Sequence, residues 1–465
     1  MKRRIALNPC DCLIYGHHRF IRRQRAGGNI PYMNVELDGP LDPTDAKAAL
    51  AGALSRHPAV MAPLCSSPTR LRPFWRLPPA ASSHAERAAD RAYVFDDLTD
   101  SADWPGQLDQ RWHARCGPDW DLRRGPQVRL EHYALPTGKT RLCLRWPHCL
   151  MDAAGAQWFL AEIGRAAADV AKGTPLETPA LPDALTEDDQ EVNVLAGRGL
   201  VERLRLMRHG WTAGSWASPD STRTLANLNA GPLQSYRVIH RQWDAAVMRS
   251  IHAKANAVTP PGPARYARHL AACVIHALHR LHVEQGIPTP AYRTTFPLTV
   301  ADDAEDPSIL RHRPLIGNYL VSPGIALLDS QADDLGTIGQ ALLRQLEDFR
   351  KSHGGLMQWA ALWWASLMHT WTYGLIFRWP RLAPSFNTGF SYYGEIAEPF
   401  RTLFGARVTN LWGGGPTTVP PGWNPVFSRF DKGLNLSLTY SRPAIRDPLA
   451  HRYVELIERA MFGMD

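Results

Sequence analysis

His148 and Asp152 stand four apart in the run Arg145-Trp146-Pro147-His148-Cys149-Leu150-Met151-Asp152-Ala153-Ala154-Gly155. An imidazole ionises near neutrality, so it can take a proton from a nucleophile and return it. If Cys149 to Asp152 form a turn, both side chains fall on one side of it. The carboxylate can then fix the imidazole's tautomer, or it can bond elsewhere and brace the loop. Spacing alone is also compatible with a solvated turn of no chemical consequence. Cys149 adjoins the histidine, but nothing around it marks a thiol of lowered pKa.

The flanking elements must position this pair. Thr140 to Trp146 alternates apolar and polar residues and predicts a strand. Ala153 to Ala171 carries an apolar face at helical spacing and predicts a helix. Gln127 to Leu135 predicts a partner strand, joined through the turn Pro136-Thr137-Gly138-Lys139. That hairpin delivers His148 to a strand-to-helix junction, a common place for a side chain that faces a cleft.

The stretch resembles the HHxxxDG signature of the condensation-domain superfamily. Its members include nonribosomal peptide synthetase condensation domains, free-standing acyltransferases, plant BAHD acyltransferases and chloramphenicol acetyltransferase. His148 matches the second, catalytic His, and Asp152 the Asp. Pro147 stands where the first His usually is, and Ala153 where the Gly usually is; the shorter HxxxD core is intact. Weaker likeness runs from about residue 7 to 463. It includes Val35 to Val60, the strand Phe386 to Tyr393, and the closing strand and helix at Gly433 to Ser441 and Leu449 to Phe462.

The resemblance implies an α/β chain of α+β sandwich lobes: two chloramphenicol-acetyltransferase-like lobes in a V, with a tunnel between them. It implies acyl transfer from a thioester to an amine or hydroxyl acceptor in specialised natural-product biosynthesis, with His148 as general base. The donor would be acyl-CoA or an acyl or peptidyl carrier protein, its phosphopantetheine arm entering as substrate, with no permanently bound cofactor and no metal. The family's Asp often pairs with an Arg of the second lobe. Here Phe296 to Val300 runs into Ala301 and Asp302, leaving Arg311 or Arg313 to orient Asp152. Oxyanion or tunnel candidates are the backbone around Gly155, together with Ser391 and Tyr393. Two other readings are a lipid or alcohol O-acyltransferase and an inactive module that only docks a carrier protein.

The remaining features bound these readings. A chain of 465 residues predicts two to three domains. The expected division is a first lobe over 1–175, a linker over 176–225 and a second lobe over 226–465. Net charge is +8, with basic clusters at Arg19 to Arg25 and Arg203 to Arg208. No zinc-finger spacing or RNP-like run accompanies them, so an acidic partner or a solvated face is expected rather than nucleic acid. Seven scattered cysteines without a CxxC pair predict reduced thiols in the cytoplasm. Asn8, Pro9 and Asp11 interrupt the basic N-terminus and argue against a signal peptide. Leu356 to Phe377 lacks Asp, Glu, Lys and Arg. It is read as a buried or interfacial helix that walls an acyl pocket or touches a membrane peripherally, rather than as a span. His57 is expected in a structural turn, and His269, His276, His279 and His282 on a helix face without metal-site spacing. Residues 66–92 are expected as loop, and Gly413-Gly414-Gly415 as a tight turn.

Overall fold

In the β-hairpin that precedes His148, strand Arg129–Ala134 pairs antiparallel with Thr140–Arg145. Gly138 turns the chain at φ 68°, and Leu135 and Lys139 close the turn with a 3.0 Å backbone bond. This hairpin joins a six-stranded sheet. Its order is Thr402–Leu403, Ala406–Gly414, Tyr32–Asp38, Thr140–Arg145, Arg129–Ala134 and Tyr93–Asp97. A four-stranded sheet carries the second lobe, in the order Ser391–Glu395, Trp423–Phe430, Gly433–Arg442 and Ser235–Trp243. The computed structural model describes residues 4–24, 27–67, 71–78, 82–116, 120–172, 194–195, 198–213, 222–231, 235–299, 316–368, 386–395 and 401–464.

Local caps explain several helices. Asp42 accepts from the Thr44 and Asp45 amides and opens Pro43–Arg56, with Pro43 at its first position. Asp244 does the same for Ala245–Val258. In the first lobe, Pro43–Arg56 packs on Ala153–Ala171, burying Leu50, Leu54, Phe159 and Ile163 in one core. In the second, Arg265–Glu284 packs against Asp447–Phe462 and Leu335–Lys351 in a separate core.

One element is added to the expected ones, and two local expectations change. Pro9–Arg23 is a helix, capped by a reciprocal pair in which Asn8 accepts from the Asp11 amide and Asp11 from the Asn8 amide. Ser82–Ala92, expected as loop, is a helix that buries Ala85, Ala88, Ala89 and Ala92 at helical spacing. Gly413 and Gly414, expected in a turn, lie inside strand Ala406–Gly414. The glycines are needed for close approach. A Cβ on Gly413 would stand 2.7 Å from the Tyr32 carbonyl oxygen, and one on Gly414 2.5 Å from Tyr32 Oη.

That same strand pairs along Tyr32–Asp38, so a segment from the C-terminal third completes the sheet of the first lobe. A linear division at residue 226 does not contain this crossover. Helix Gly354–Ser366, the described part of the Trp-rich stretch, packs against Pro9–Arg23 and Leu200–Ala213. Among the described residues, no helix is long and apolar enough to cross a membrane.

Candidate active site

The strand Thr140–Arg145 ends on a loop held from several sides. Trp146 Nε1 donates to the Met151 carbonyl at 2.9 Å, and the Leu150 amide to the Pro147 carbonyl at 2.8 Å. Asp152 then caps helix Ala153–Ala171, its Oδ1 accepting from the Gly155 amide at 3.0 Å. Asp152 is buried, and this bond places it as a brace of the loop. It also commits the Gly155 N–H to the cap. Arg311 and Arg313 lie outside the described residues.

The second lobe grips the same loop. The Gly317 amide donates to the Leu150 carbonyl at 2.7 Å, and Gly317 bridges Met151 in parallel. Gly317 sits at φ 108°, where side-chain-bearing residues are strained. Asn318 Nδ2 donates to the His148 carbonyl at 2.7 Å and to Asp11 Oδ1 at 2.8 Å, while the Asn318 amide also reaches Asp11 Oδ1 at 2.9 Å. Asn8 Nδ2 returns a bond to the Asn318 carbonyl at 3.1 Å. Burial pushes the Asp11 carboxyl up to about 7, against the pull of these Asn318 and Asn8 donors. Asn318→Ala removes two side-chain bonds and weakens the support of a buried carboxyl. It should cost about 1–3 kcal/mol in denaturant unfolding and loosen the His148 loop. An unchanged unfolding midpoint would show that the latch is dispensable.

His148 lines a cavity of about 1340 Å³ whose walls come from both lobes. The N-terminal helix contributes Leu13, His17 and Phe20; the second lobe contributes Thr388, Ser391 and Tyr393. The His148 amide donates to the Asn29 carbonyl at 3.0 Å. Its ring is partly exposed, whereas Nδ1 is buried. Burial lowers its pKa below the ordinary imidazole value. The carbonyls of His148 and Met151, the Asp152 charge and the Asn318 side chain oppose that shift. The shift favours the neutral imidazole at the cavity wall.

Ser391 and Tyr393 reach this cavity on strand Ser391–Glu395. Burial, followed by the charge of Asp152, raises the Tyr393 phenol above its usual range, so it remains a neutral hydrogen-bonding group. Gly155 is not among the cavity-lining residues, although its neighbours Ala153 and Ala154 are. Cys149 is buried, which drives its thiol pKa well up. His57 stands apart from the cavity, 3.3 Å from Glu162 and edge-on to Trp158. The four helix histidines have local partners: Thr259 for His269, the Ala332 carbonyl for His276, Asp329 for His279 and the Ile287 carbonyl for His282.

His17 was not singled out in the sequence. It sits on Pro9–Arg23, the helix whose start is encoded by Asn8, Pro9 and Asp11. Recognising that cap would have placed His17 two turns into a helix with Leu13 and Phe20, on one shared face.

Comparison with protein-family models and with curated proteins returns no sequence match. Solved structures do match in fold. The first condensation domain of the CDA synthetase superposes with TM-score 0.72 at 16% identity, over 99% of this chain and 96% of that one. A trichothecene 15-O-acetyltransferase from Fusarium sporotrichioides matches with TM-score 0.66 at 11% identity, over 99% and 95%. The epimerization domain from the third module of tyrocidine synthetase B matches with TM-score 0.61 at 14% identity, over 100% and 96%.

Proposed function

We propose that this chain, which has the fold of condensation domains and chloramphenicol-acetyltransferase-like acyltransferases, transfers an acyl group from a thioester to an amine or hydroxyl acceptor. The observation that carries this reading is the His148 ring, set on a braced loop at a cavity walled by both lobes. Because Nδ1 is the buried nitrogen, Nε2 is the atom that takes the acceptor's proton. The acceptor attacks the thioester carbonyl, the tetrahedral intermediate collapses, and His148 passes the proton to the departing thiol. Holding donor and acceptor in one cavity supplies much of the rate through proximity. Asp152 braces the loop rather than relaying the proton.

The donor would be coenzyme A or a phosphopantetheinyl carrier protein, with the arm as substrate. Arg19 and Arg22 on the N-terminal helix suit the phosphates of either. A lipid or alcohol O-acyltransferase is the variant favoured by the apolar wall of Leu13, Phe20, Phe349, Met357 and Leu362, which suits an acyl chain.

The test is a panel of acyl-CoA and acyl-carrier-protein donors with mixed amine and alcohol acceptors, read by intact mass and thiol release. Acyl loss from one donor class, with matching product, identifies the carrier and the bond formed. Binding of a carrier protein without consumption of any donor would replace the enzyme reading with a docking one.

A further inference from the structure

We propose that Asn318 is a positioning residue for the base: its side-chain Oδ1 accepts the His148 Nδ1–H and so leaves Nε2 to take the proton. This deepens, and rests on, the acyl-transfer reading. A base that works from Nε2 needs an acceptor on the other side of its ring, to fix the tautomer and to stabilise the charge that forms there.

The Asn318 amide cannot be turned the other way. Its nitrogen stands 2.7 Å from the His148 carbonyl oxygen and 2.8 Å from Asp11 Oδ1. Asp11 Oδ1 also takes the Asn318 backbone N–H at 2.9 Å, so that oxygen is an acceptor. Both side-chain amide protons are therefore used on acceptors, and a flipped amide would set oxygen against oxygen. Asp11 is held in turn, its Oδ2 accepting from the Asn8 amide at 3.1 Å. This leaves Asn318 Oδ1 as a buried acceptor with no hydrogen bond among the described residues, and His148 Nδ1 is buried in the same condition. The Asn318 side chain lies close enough to the ring to favour its charged form by hydrogen bonding. Each orphan is costly alone, and each supplies what the other lacks.

The backbone carbonyls of His148 and Met151 act on the ring in the same sense. All of these groups are acceptors, so the buried Nδ1 is the nitrogen that carries the proton of the neutral ring. The carbonyls already hold Asn318 Nδ2 and Trp146 Nε1 respectively, whereas Asn318 Oδ1 holds no donor among the described residues. Asp152 adds a charge that favours the imidazolium. His17, its pKa held down to about 4 mainly by burial, stays neutral at the cavity wall. Cys149 keeps its thiol proton because burial drives its pKa well up, and Asp11 faces the Asn318 amide. As Nε2 takes the acceptor's proton, the Nδ1–H bond to Asn318 tightens; such bonds are often loose before substrate binds. The departing thiolate then takes that proton from Nε2. The Nδ1 proton stays on the ring throughout, and Asn318 neither gains nor loses one.

The experiment titrates His148 by nitrogen-15 NMR without substrate, with His148→Ala to assign its signal. Beside it runs the pH profile of thiol release from acetyl-CoA, octanoyl-CoA and the corresponding N-acetylcysteamine thioesters, with the mixed acceptors. Wild-type His148 should be the Nδ1–H tautomer. In Asn318→Ala the ring loses a bond that favours its charged form. Its pKa should fall further, the acid limb of the rate should move to lower pH, and kcat should drop about 10–10²-fold with KM little changed. Asp11→Asn combined with Asn318→Asp keeps the charge of the pair but sets it beside the ring, so the titration and the acid limb should move upward instead. Support of the loop alone would not move the titration in opposite directions. An Nε2–H tautomer in wild type, or a His148 pKa that Asn318→Ala leaves unchanged or raises, would overturn the assignment while leaving acyl transfer standing. The wild-type tautomer needs no variant to fold, so it can refute the proposal by itself. No thiol release by wild type from any donor would overturn both.

Discussion

His148→Ala should lower kcat by about 10²–10⁴-fold, the usual worth of a positioned general base. The ring is partly exposed, so its removal should leave the fold intact. The loop does not depend on the imidazole: the bonds from Asn318, to Asn29 and between Trp146 and Met151 all use backbone atoms of the loop. Turnover and circular dichroism on the same preparation separate the two effects. A carrier-docking module would instead show unchanged partner binding and no wild-type turnover to lose. A variant that keeps wild-type kcat would remove His148 from the mechanism.

Arg145→Ala should be the most destabilising single change near the site. The Arg145 guanidinium is fully buried and donates from Nε to Glu131 at 2.8 Å, from Nη2 to the Trp112 carbonyl at 3.1 Å and from Nη1 to Tyr236 Oη at 3.3 Å. Its cation also lies 4.8 Å from the Trp112 ring. Tyr133 Oη holds the other Glu131 oxygen at 2.8 Å. Removing the cation leaves Glu131 as an unpaired buried charge, which costs about 3–5 kcal/mol. A typical domain has about 5–15 kcal/mol to lose, so the variant should unfold at markedly lower denaturant. Replacing both partners, as Arg145→Met with Glu131→Leu, should recover much of that loss because neither charge is then stranded. A single variant within about 1 kcal/mol of wild type would contradict this account. Because Arg145 ends the strand that leads into His148, its loss should also blur the loop's position.

The elements that bracket His148 were legible because their signals are local. Thr140–Arg145 alternates, Ala153–Ala171 repeats its apolar face at helical spacing, and Asp244 is followed by a helix that it caps. The N-terminal helix was hidden although its code is short. Asn8, Pro9 and Asp11 break the run after the basic N-terminus, and together they form a helix start. In Ser82–Ala92 small alanines make a thin apolar stripe, easily masked by the Pro and Ser residues before it. The glycines of Ala406–Gly414 looked like a turn because their reason for being small is Tyr32, almost 400 residues away in the chain. Asn318 could not be read from its neighbours either. Its value lies in joining Asp11 to the His148 carbonyl across two lobes. His17 shares that limit, since only the folded cavity brings it and His148 to one space.

The central claim is that a neutral His148 in the inter-lobe cavity takes the acceptor's proton. Single-turnover thiol release measured across pH tests it most directly. Burial lowers the folded-state pKa of His148, so protonation should disable the base only below the ordinary imidazole value. The rate should therefore be flat at neutral pH and above, and fall with one proton only below the ordinary imidazole value. That acid limb should vanish in His148→Ala, along with nearly all of the rate. A rate that instead climbs only above about pH 8, as for a thiolate such as Cys149, or that ignores pH altogether, would contradict the assignment.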